Sequence, residues 1–139
     1  MIVLDTSGLL AWIDATQRLH SAVMATMKQF TAPYLLSPFV LAELDYLVAT
    51  RVGLTAEHAL LKEVEHGAYN LVPFTAEDVG RARRVMARFR DLSIGVADAS
   101  IVVIAETYRT HDILTLDERH FRTVTGSDKR PFRLLPADG

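Results

Sequence analysis

Short apolar runs alternate along the chain with longer stretches in which apolar residues recur every three or four positions. A short apolar run bounded by polar or turn-forming residues predicts a buried strand, and a longer periodic stretch predicts an amphipathic helix. The predicted strands are Ile2–Leu4, Pro33–Leu36, Leu71–Val72, Ile113–Leu116 and, as a last edge strand, Phe132–Leu135. This alternation is typical of an α/β domain with a mainly parallel sheet.

Capping residues mark where several helices begin. Ser37-Pro38 is an N-cap followed by proline at the first helical position, and this helix is predicted to extend to about Arg51. Thr75, followed by acidic residues, begins another helix that reaches about Arg90. Residues 96–109 contain a β-branched run that resembles a strand, but their length favours a buried helix. The other predicted helices cover residues 5–12, 20–30 and 55–67.

Composition narrows the class of protein. A chain of 139 residues fits one domain, predicted here over 1–139, because domains commonly have roughly 100–150 residues. The absence of cysteine excludes disulfides and thiolate metal sites and suits a reducing compartment. No apolar run approaches the roughly 20 residues of a membrane span, and Asp5 comes too early for a signal peptide. We therefore expect a cytoplasmic protein without a membrane anchor.

Charge and hydropathy bear on the binding partners. The formal net charge is −2, whereas general nucleic-acid binders are strongly basic. A nucleic acid would therefore have to meet a local basic patch or a metal ion. Half of the residues are hydrophobic and the mean hydropathy is +0.17, which favours apolar surface covered by a second copy or another partner. A well-packed monomer is the alternative.

Two carboxylates follow predicted strands. Asp5 comes directly after Ile2–Leu4, and Asp117 comes directly after Ile113–Leu116. Ligands of open parallel sheets bind outside the carboxyl ends of the strands, so both carboxylates are candidates to face one crevice. A single aspartate at such a position is more often simply a helix N-cap.

Two further carboxylates lie in predicted helices. Glu43 has apolar helical neighbours, where an ionised carboxylate is costly unless it is paired or binds a cation. Asp45 has equally apolar neighbours, so helical spacing does not choose between the two. Asp98 precedes the most apolar segment, where a first-turn carboxylate also favours the helix dipole. Converging carboxylates repel one another, which raises their pKa values. A divalent cation removes this repulsion. Oxygen ligands favour Mg²⁺ or Mn²⁺ as that cation.

Four motifs together resemble those of PIN-domain ribonucleases, in particular the VapC-type toxins of VapBC toxin–antitoxin pairs. They are Asp5-Thr6-Ser7-x-Leu9, Ser37-Pro38-x-x-x-Ala42-Glu43, Asp98-Ala99-x-Ile101 and Thr115-x-Asp117-x-x-x-Phe121. Their order and spacing are similar to the family's over almost the whole chain. The resemblance implies a PIN-like three-layer α/β/α fold, with a short, mainly parallel central sheet flanked by helices.

The resemblance also assigns roles to residues. The family's catalytic acids match Asp5, Glu43, Asp98 and Asp117. The polar residues that support those acids match Thr6, Ser7 and Thr115. The residues expected to hold Mg²⁺, for which Mn²⁺ is a substitute, are Asp5, Asp98 and Asp117. Glu43 is thereby selected over Asp45. The loop at 91–95 departs from the more polar loops of related toxins, which leaves the substrate specificity open.

The implied activity is that of a metal-dependent endoribonuclease acting as the toxin of a type II pair. A metal-activated water would attack the RNA phosphodiester in line and leave a 5′-phosphate. The resemblance further implies a homodimer and a VapB-type antitoxin whose tail covers the crevice. Phosphate contacts position RNA without reading its bases, and the basic residues expected to make them are Arg119, Arg122, Lys129 and Arg130. The five histidines show no ligand spacing, and most of them are expected at the surface.

Two other functions compete with this interpretation. A PIN-like RNA-binding module or protein-interaction scaffold would keep the fold without catalysis, but it gains nothing from clustered negative charge. A phosphatase of the haloacid-dehalogenase type would use a strand-end aspartate as nucleophile. That class has a second aspartate two residues later, where this chain has Ser7.

Overall fold

Five strands and seven α-helices alternate along the chain in the computed structural model, which describes all 139 residues. The strands are β1 (Ile2–Leu4), β2 (Tyr34–Leu36), β3 (Asn70–Leu71), β4 (Asp112–Leu114) and β5 (Arg133–Leu135). The helices are α1 (Thr6–Ile13), α2 (His20–Met27), α3 (Pro38–Arg51), α4 (Leu54–Glu65), α5 (Ala76–Arg88), α6 (Val96–Tyr108) and α7 (Glu118–Phe121). A 3₁₀ turn covers Arg90–Leu92. None of the helices combines the length and apolar composition needed to cross a membrane.

All neighbouring strands are parallel, in the order β3-β2-β1-β4-β5. In the central strand, Val3 is in register with Leu35 on one side and with Ile113 on the other. The chain first builds the sheet outward from β1 through β2 and β3, and then crosses to β4 on the opposite side. Crevices for ligands form at the carboxyl ends of strands beside such a change of direction. The segments that follow β1 and β4 therefore lie at this crevice.

Helices cover both faces of the sheet. Ile2, Val3 and Leu4 are completely buried, and successive side chains of a strand point to opposite faces. The predicted three-layer α/β/α architecture is thus confirmed. The core also contains residues 101–105 of α6, so the β-branched run that resembles a strand forms a buried helix, as its length predicts.

The N-terminus of α1 lies very close to the end of β4. A Cβ atom on Gly8 would overlap the carbonyl oxygen of Leu114, so only glycine permits this approach. The backbone N–H of Asp5 donates to the same oxygen over 3.0 Å. These contacts hold the first turn of α1 beside the segment that follows β4.

Two short elements were not predicted from the sequence. The 3₁₀ turn and α7 contain three and four residues, too few to establish a period. The strand predicted over Ile113–Leu116 ends earlier, at Leu114. The backbone N–H of Leu116 donates to the Ser7 hydroxyl over 2.9 Å instead of to a neighbouring strand.

Candidate active site

The four predicted catalytic acids line a single cleft of about 270 Å³ at the carboxyl edge of the sheet. Its walls are formed by Asp5, Thr6, Ser7, Leu10, Gln17, Glu43, Leu47, Arg51, Asp98, Leu116 and Asp117. Each acid comes from a different element. Asp5 precedes α1, Glu43 lies on α3, Asp98 lies in the first turn of α6, and Asp117 precedes α7.

Asp5 stands at the N-cap position of α1, but its side chain makes no capping hydrogen bond. Ser7 Oγ and Thr115 Oγ1 instead both donate to Asp5 Oδ2, over 3.0 and 2.6 Å. The two hydroxyls also accept backbone N–H groups, Ser7 from Leu116 and Thr115 from Asp117, both over 2.9 Å. This network joins the end of β1 to the loop after β4 and holds the Asp5 carboxylate in one orientation.

Thr6 differs from its predicted role as a side chain that supports the acids. Its Oγ1 atom is buried and has no hydrogen-bond partner. Its backbone N–H, rather than its hydroxyl, acts on the Asp5 carboxylate and lowers the pKa of Asp5. Thr6 therefore contacts Asp5 through the main chain.

Burial dominates the electrostatics of Asp5. Desolvation raises the pKa of Asp5 to about 6, and the nearby negative charge of Asp98 adds to the increase. The hydrogen bonds from Thr115 and Ser7 act in the opposite direction. An ionised Asp5 is thus costly in this cleft unless a cation lies beside it.

His120 is a residue of the cleft edge that the sequence motifs did not indicate. Its Nδ1 atom is 3.0 Å from Asp98 Oδ2 and 3.5 Å from Asp117 Oδ2, and only 14 % of its side chain is exposed. Burial raises the pKa of Asp98, while the hydrogen bond and charge of His120 oppose that increase. His120 is therefore not one of the histidines that lie at the surface. The available signal was the i, i+3 spacing from Asp117, which places both side chains on one side of a helical turn.

The structure places Glu43 and Asp45 on different sides of α3. Glu43 is exposed and lines the cleft. Asp45 faces Glu57 of α4, and this contact between two carboxylates raises the pKa of Glu57. Only Glu43 is placed to act in the cleft.

A buried pair of hydroxyl groups connects the helices that carry Glu43 and Asp98. Ser37, the N-cap of α3, and Ser100 of α6 are completely buried, with their Oγ atoms 2.7 Å apart. Ser100 donates its hydrogen to the Ala97 carbonyl over 2.6 Å, so Ser37 is the donor between the two hydroxyls. This bond fixes the start of α3 against the first turn of α6.

None of the four basic residues predicted to contact RNA lines the cleft. Arg122 forms ion pairs with Glu118 over 2.6 Å and with Asp138 over 2.7 Å. Lys129 and Arg130 precede β5 and therefore lie toward the amino ends of the strands, and Arg130 lines a separate cavity there. This is the edge of the sheet opposite the acids.

Two arginines lie nearer to the acids. Arg119 of α7 has its Nη2 atom 3.5 Å from Nε2 of His120. Arg51 of α3, which the sequence motifs did not indicate, is the only basic residue that lines the cleft.

The chemistry of the donors in the cleft suits a hard divalent cation. All four acids supply oxygen ligands. The pKa of Asp5 is raised, and none of the groups that shift it is a cationic side chain. No three acidic or histidine side chains are arranged to bind one ion together. Mg²⁺ keeps several water ligands and commonly uses only one or two carboxylates, so one or two of these acids would be enough to hold it.

Comparisons with known proteins identify the family and the fold of the chain. Residues 2–126 match the family model of the PIN domain. The chain is 44 % identical over 135 residues to Ribonuclease VapC26 of Mycobacterium tuberculosis, an alignment that covers 97 % of this chain and 100 % of that protein. The fold is similar to that of Mycobacterium tuberculosis VapC20, described as a sarcin-ricin loop cleaving toxin, with a TM-score of 0.79 and 19 % identity over 86 % of this chain and 92 % of that one. FitAcB of Neisseria gonorrhoeae gives a TM-score of 0.55 and 21 % identity over 78 % and 83 % of the two chains.

Proposed function

The chain belongs to the PIN-domain family, and from this premise we propose that it is a Mg²⁺-dependent endoribonuclease that acts as the toxin of a type II toxin–antitoxin pair. The proposal rests on four carboxylates, carried by four different elements, that line one cleft. The relative that is 44 % identical is a ribonuclease, which supports RNA as the substrate.

The proposed ligands of the metal are Asp5, Asp98 and Asp117, with Mn²⁺ as a substitute for Mg²⁺. Since no three of these side chains are arranged to bind one ion together, one or two of them would bind it directly and the remainder through water. A bound Mg²⁺ would lower the pKa of a coordinated water and neutralise charge on the scissile phosphate. Ser7 and Thr115 hold Asp5 in place by their hydrogen bonds to Oδ2.

Glu43 is the proposed acceptor of the proton from the attacking water. It is exposed at the cleft and none of the hydrogen bonds at the site occupies its carboxylate, so it is free to act as a general base. The water oxygen bonds to phosphorus in line with the bond to the ribose 3′ oxygen. That bond breaks, the 3′ oxygen takes up a proton from bulk water, and Glu43 releases its proton to bulk water. The products carry a 5′-phosphate and a 3′-hydroxyl.

Cleavage of total cellular RNA by the purified chain tests the proposed function. We expect cleavage with Mg²⁺ or Mn²⁺, complete loss with excess EDTA, and recovery when the metal is restored. Mapping of the product ends should give 5′-phosphates. Cleavage that continues unchanged in EDTA would contradict the metal dependence. A folded chain that cleaves no cellular RNA with either metal would favour the scaffold function.

Glu43→Gln should lower kcat by at least about a hundredfold, because a general base contributes 10²- to 10⁴-fold. Asp45→Asn makes the same chemical change two residues away on the side that faces α4, and its kcat should stay close to that of the wild type. Initial rates at saturating RNA and Mg²⁺ measure both effects. If Asp45→Asn were the more damaging substitution, the assignment of Glu43 would be wrong.

An antitoxin and a second copy of the chain are the proposed partners, and exposed apolar side chains support them. Four of these side chains, on or beside α3 and α4, are Tyr46, Val52, Leu54 and Leu61. Next to them, mainly apolar residues of the end of α1, α3 and α4 line a cavity of about 380 Å³. Exposed apolar surface of this kind marks sites of protein association. Together with the absence of cysteine, these features fit a complex that acts in the cytoplasm.

A further inference from the structure

The cleft extends beyond the acids as a groove between α1 and α3. Leu10 and Leu47 contribute apolar walls, and Gln17 and Arg51 lie further from the acids. Positions 43, 47 and 51 of α3 are separated by four residues each and therefore share one face of the helix. Arg51 lies about 12 Å along the helix axis from Glu43, since the helix rises 1.5 Å per residue.

The guanidinium of Arg51 is free in the structure. Arg51 is exposed, and the ion pairs of arginine are made by Arg81, Arg122 and Arg133. Arg51 also forms no hydrogen bond with another side chain, although its groove contains the four carboxylates. Its position in the last turn of α3 favours the helix dipole, but that role does not require the side chain to line the groove.

We propose that this groove holds the RNA strand on one side of the scissile phosphate and that Arg51 binds the phosphate of a neighbouring nucleotide. The inference rests on the proposed function and extends it to the part of the substrate that is not cleaved. A guanidinium donates two parallel hydrogen bonds to a phosphate. Its positive charge also offsets the repulsion between the substrate and the acidic end of the cleft. A contact of this kind positions the strand without reading its bases.

Salt dependence of RNA binding tests the contact. Binding of a single-stranded RNA is measured in the Asp98→Asn background, so that the RNA stays intact, at a series of salt concentrations. Each contacted phosphate of a single strand contributes about 0.7 to the slope of log K against log salt. Arg51→Ala should therefore lower the slope by about 0.7, and Arg51→Lys should keep most of it because the charge remains. Arg83→Ala, which removes an exposed arginine on α5 outside the cleft, should leave the slope unchanged.

Cleavage kinetics provide a second readout with Asp98 intact. Arg51→Ala should raise KM by about tenfold, as expected for the loss of a hydrogen bond to a charged group. It should change kcat little, because the contact is the same in the ground and transition states. An RNA with one neutral methylphosphonate linkage beside the mapped cleavage site should show the same loss with the wild type and no further loss with Arg51→Ala.

Equal slopes and equal KM values for Arg51→Ala and Arg83→Ala would overturn the inference and leave Arg51 with its structural position alone. A wild-type chain that neither binds nor cleaves RNA would overturn the proposed function itself. The two failures are therefore distinguishable in the same set of measurements.

Discussion

Asp98→Asn should lower kcat/KM for RNA cleavage by about a thousandfold or more while the chain remains folded. Asp98 lines the cleft together with Asp5, Glu43 and Asp117. Burial raises the pKa of Asp98, and the negative charges of Asp117 and Glu43 add to the increase. Asparagine has nearly the same shape, and its oxygen can accept the hydrogen bond from His120. The substitution therefore removes the negative charge and little else. Loss of several kcal/mol of metal-dependent charge stabilisation corresponds to about a thousandfold in rate.

Initial rates over a range of Mg²⁺ concentrations, together with calorimetric titration of Mn²⁺, measure this effect. Asp91→Asn is the matched control, because Asp91 is an exposed residue that lies outside the cleft. It should retain the wild-type rate and metal affinity. An Asp98→Asn variant that kept a tenth or more of the rate would show that Asp98 serves the first turn of α6 and not the reaction.

The order of the strands and helices could be predicted because most elements are long enough, or apolar enough, to show a pattern. β1 is fully buried and follows the rule for central parallel strands. Residues 96–108 form one helix although their β-branched run also fits a strand, and here length was the deciding signal. The 3₁₀ turn at 90–92 and α7 have only three and four residues, so a helical pattern has no room to repeat within them.

The acids of the cleft differ in how far the sequence could locate them. Asp5 and Asp117 follow strands, and the topology of a parallel sheet brings such positions together. Glu43 and Asp45 have equivalent helical neighbours. They differ only in that Asp45 faces Glu57 of α4. Local spacing carries no information about a helix that packs from another part of the chain.

Contacts between distant segments account for the residues that the motifs did not indicate. His120 meets Asp98 across 22 residues of sequence, and Ser37 meets Ser100 across 63. The basic residues Arg119, Arg122, Lys129 and Arg130 follow Asp117 closely in sequence, but none of them lines the cleft. By the start of β5 the chain has returned to the amino ends of the strands, and it takes Arg130 to a different cavity.

Asp5→Asn should abolish cleavage and yet stabilise the metal-free protein at pH 7.5 by about 3 kcal/mol. Burial raises the pKa of Asp5 to about 6, against about 3.9 in an unfolded chain. The folded state therefore binds the proton more tightly than the unfolded state does. This contribution to stability is complete below about pH 4 and is lost as the pH rises through about 6. At pH 7.5 the wild type must bury an ionised carboxylate, whereas the neutral asparagine has no such cost, and each pKa unit is worth about 1.4 kcal/mol.

Urea unfolding in EDTA between pH 4 and pH 8 measures the difference. The gain from Asp5→Asn should be largest at pH 7.5 and should disappear toward pH 4. Asp14→Asn is the control, because Asp14 lies at the other end of α1 and the hydroxyl of Thr16 lowers its pKa, so its removal should give no gain at any pH.

Added Mg²⁺ should raise the stability of the wild type and not that of Asp5→Asn, since a ligand stabilises only the state that binds it. If the difference in free energy of unfolding between wild type and Asp5→Asn did not change with pH, ionisation of Asp5 would not destabilise the folded state. If Asp5→Asn gains stability in a pH-dependent way and is no longer stabilised by Mg²⁺, the Asp5 carboxylate serves to bind the cation and not to stabilise the fold.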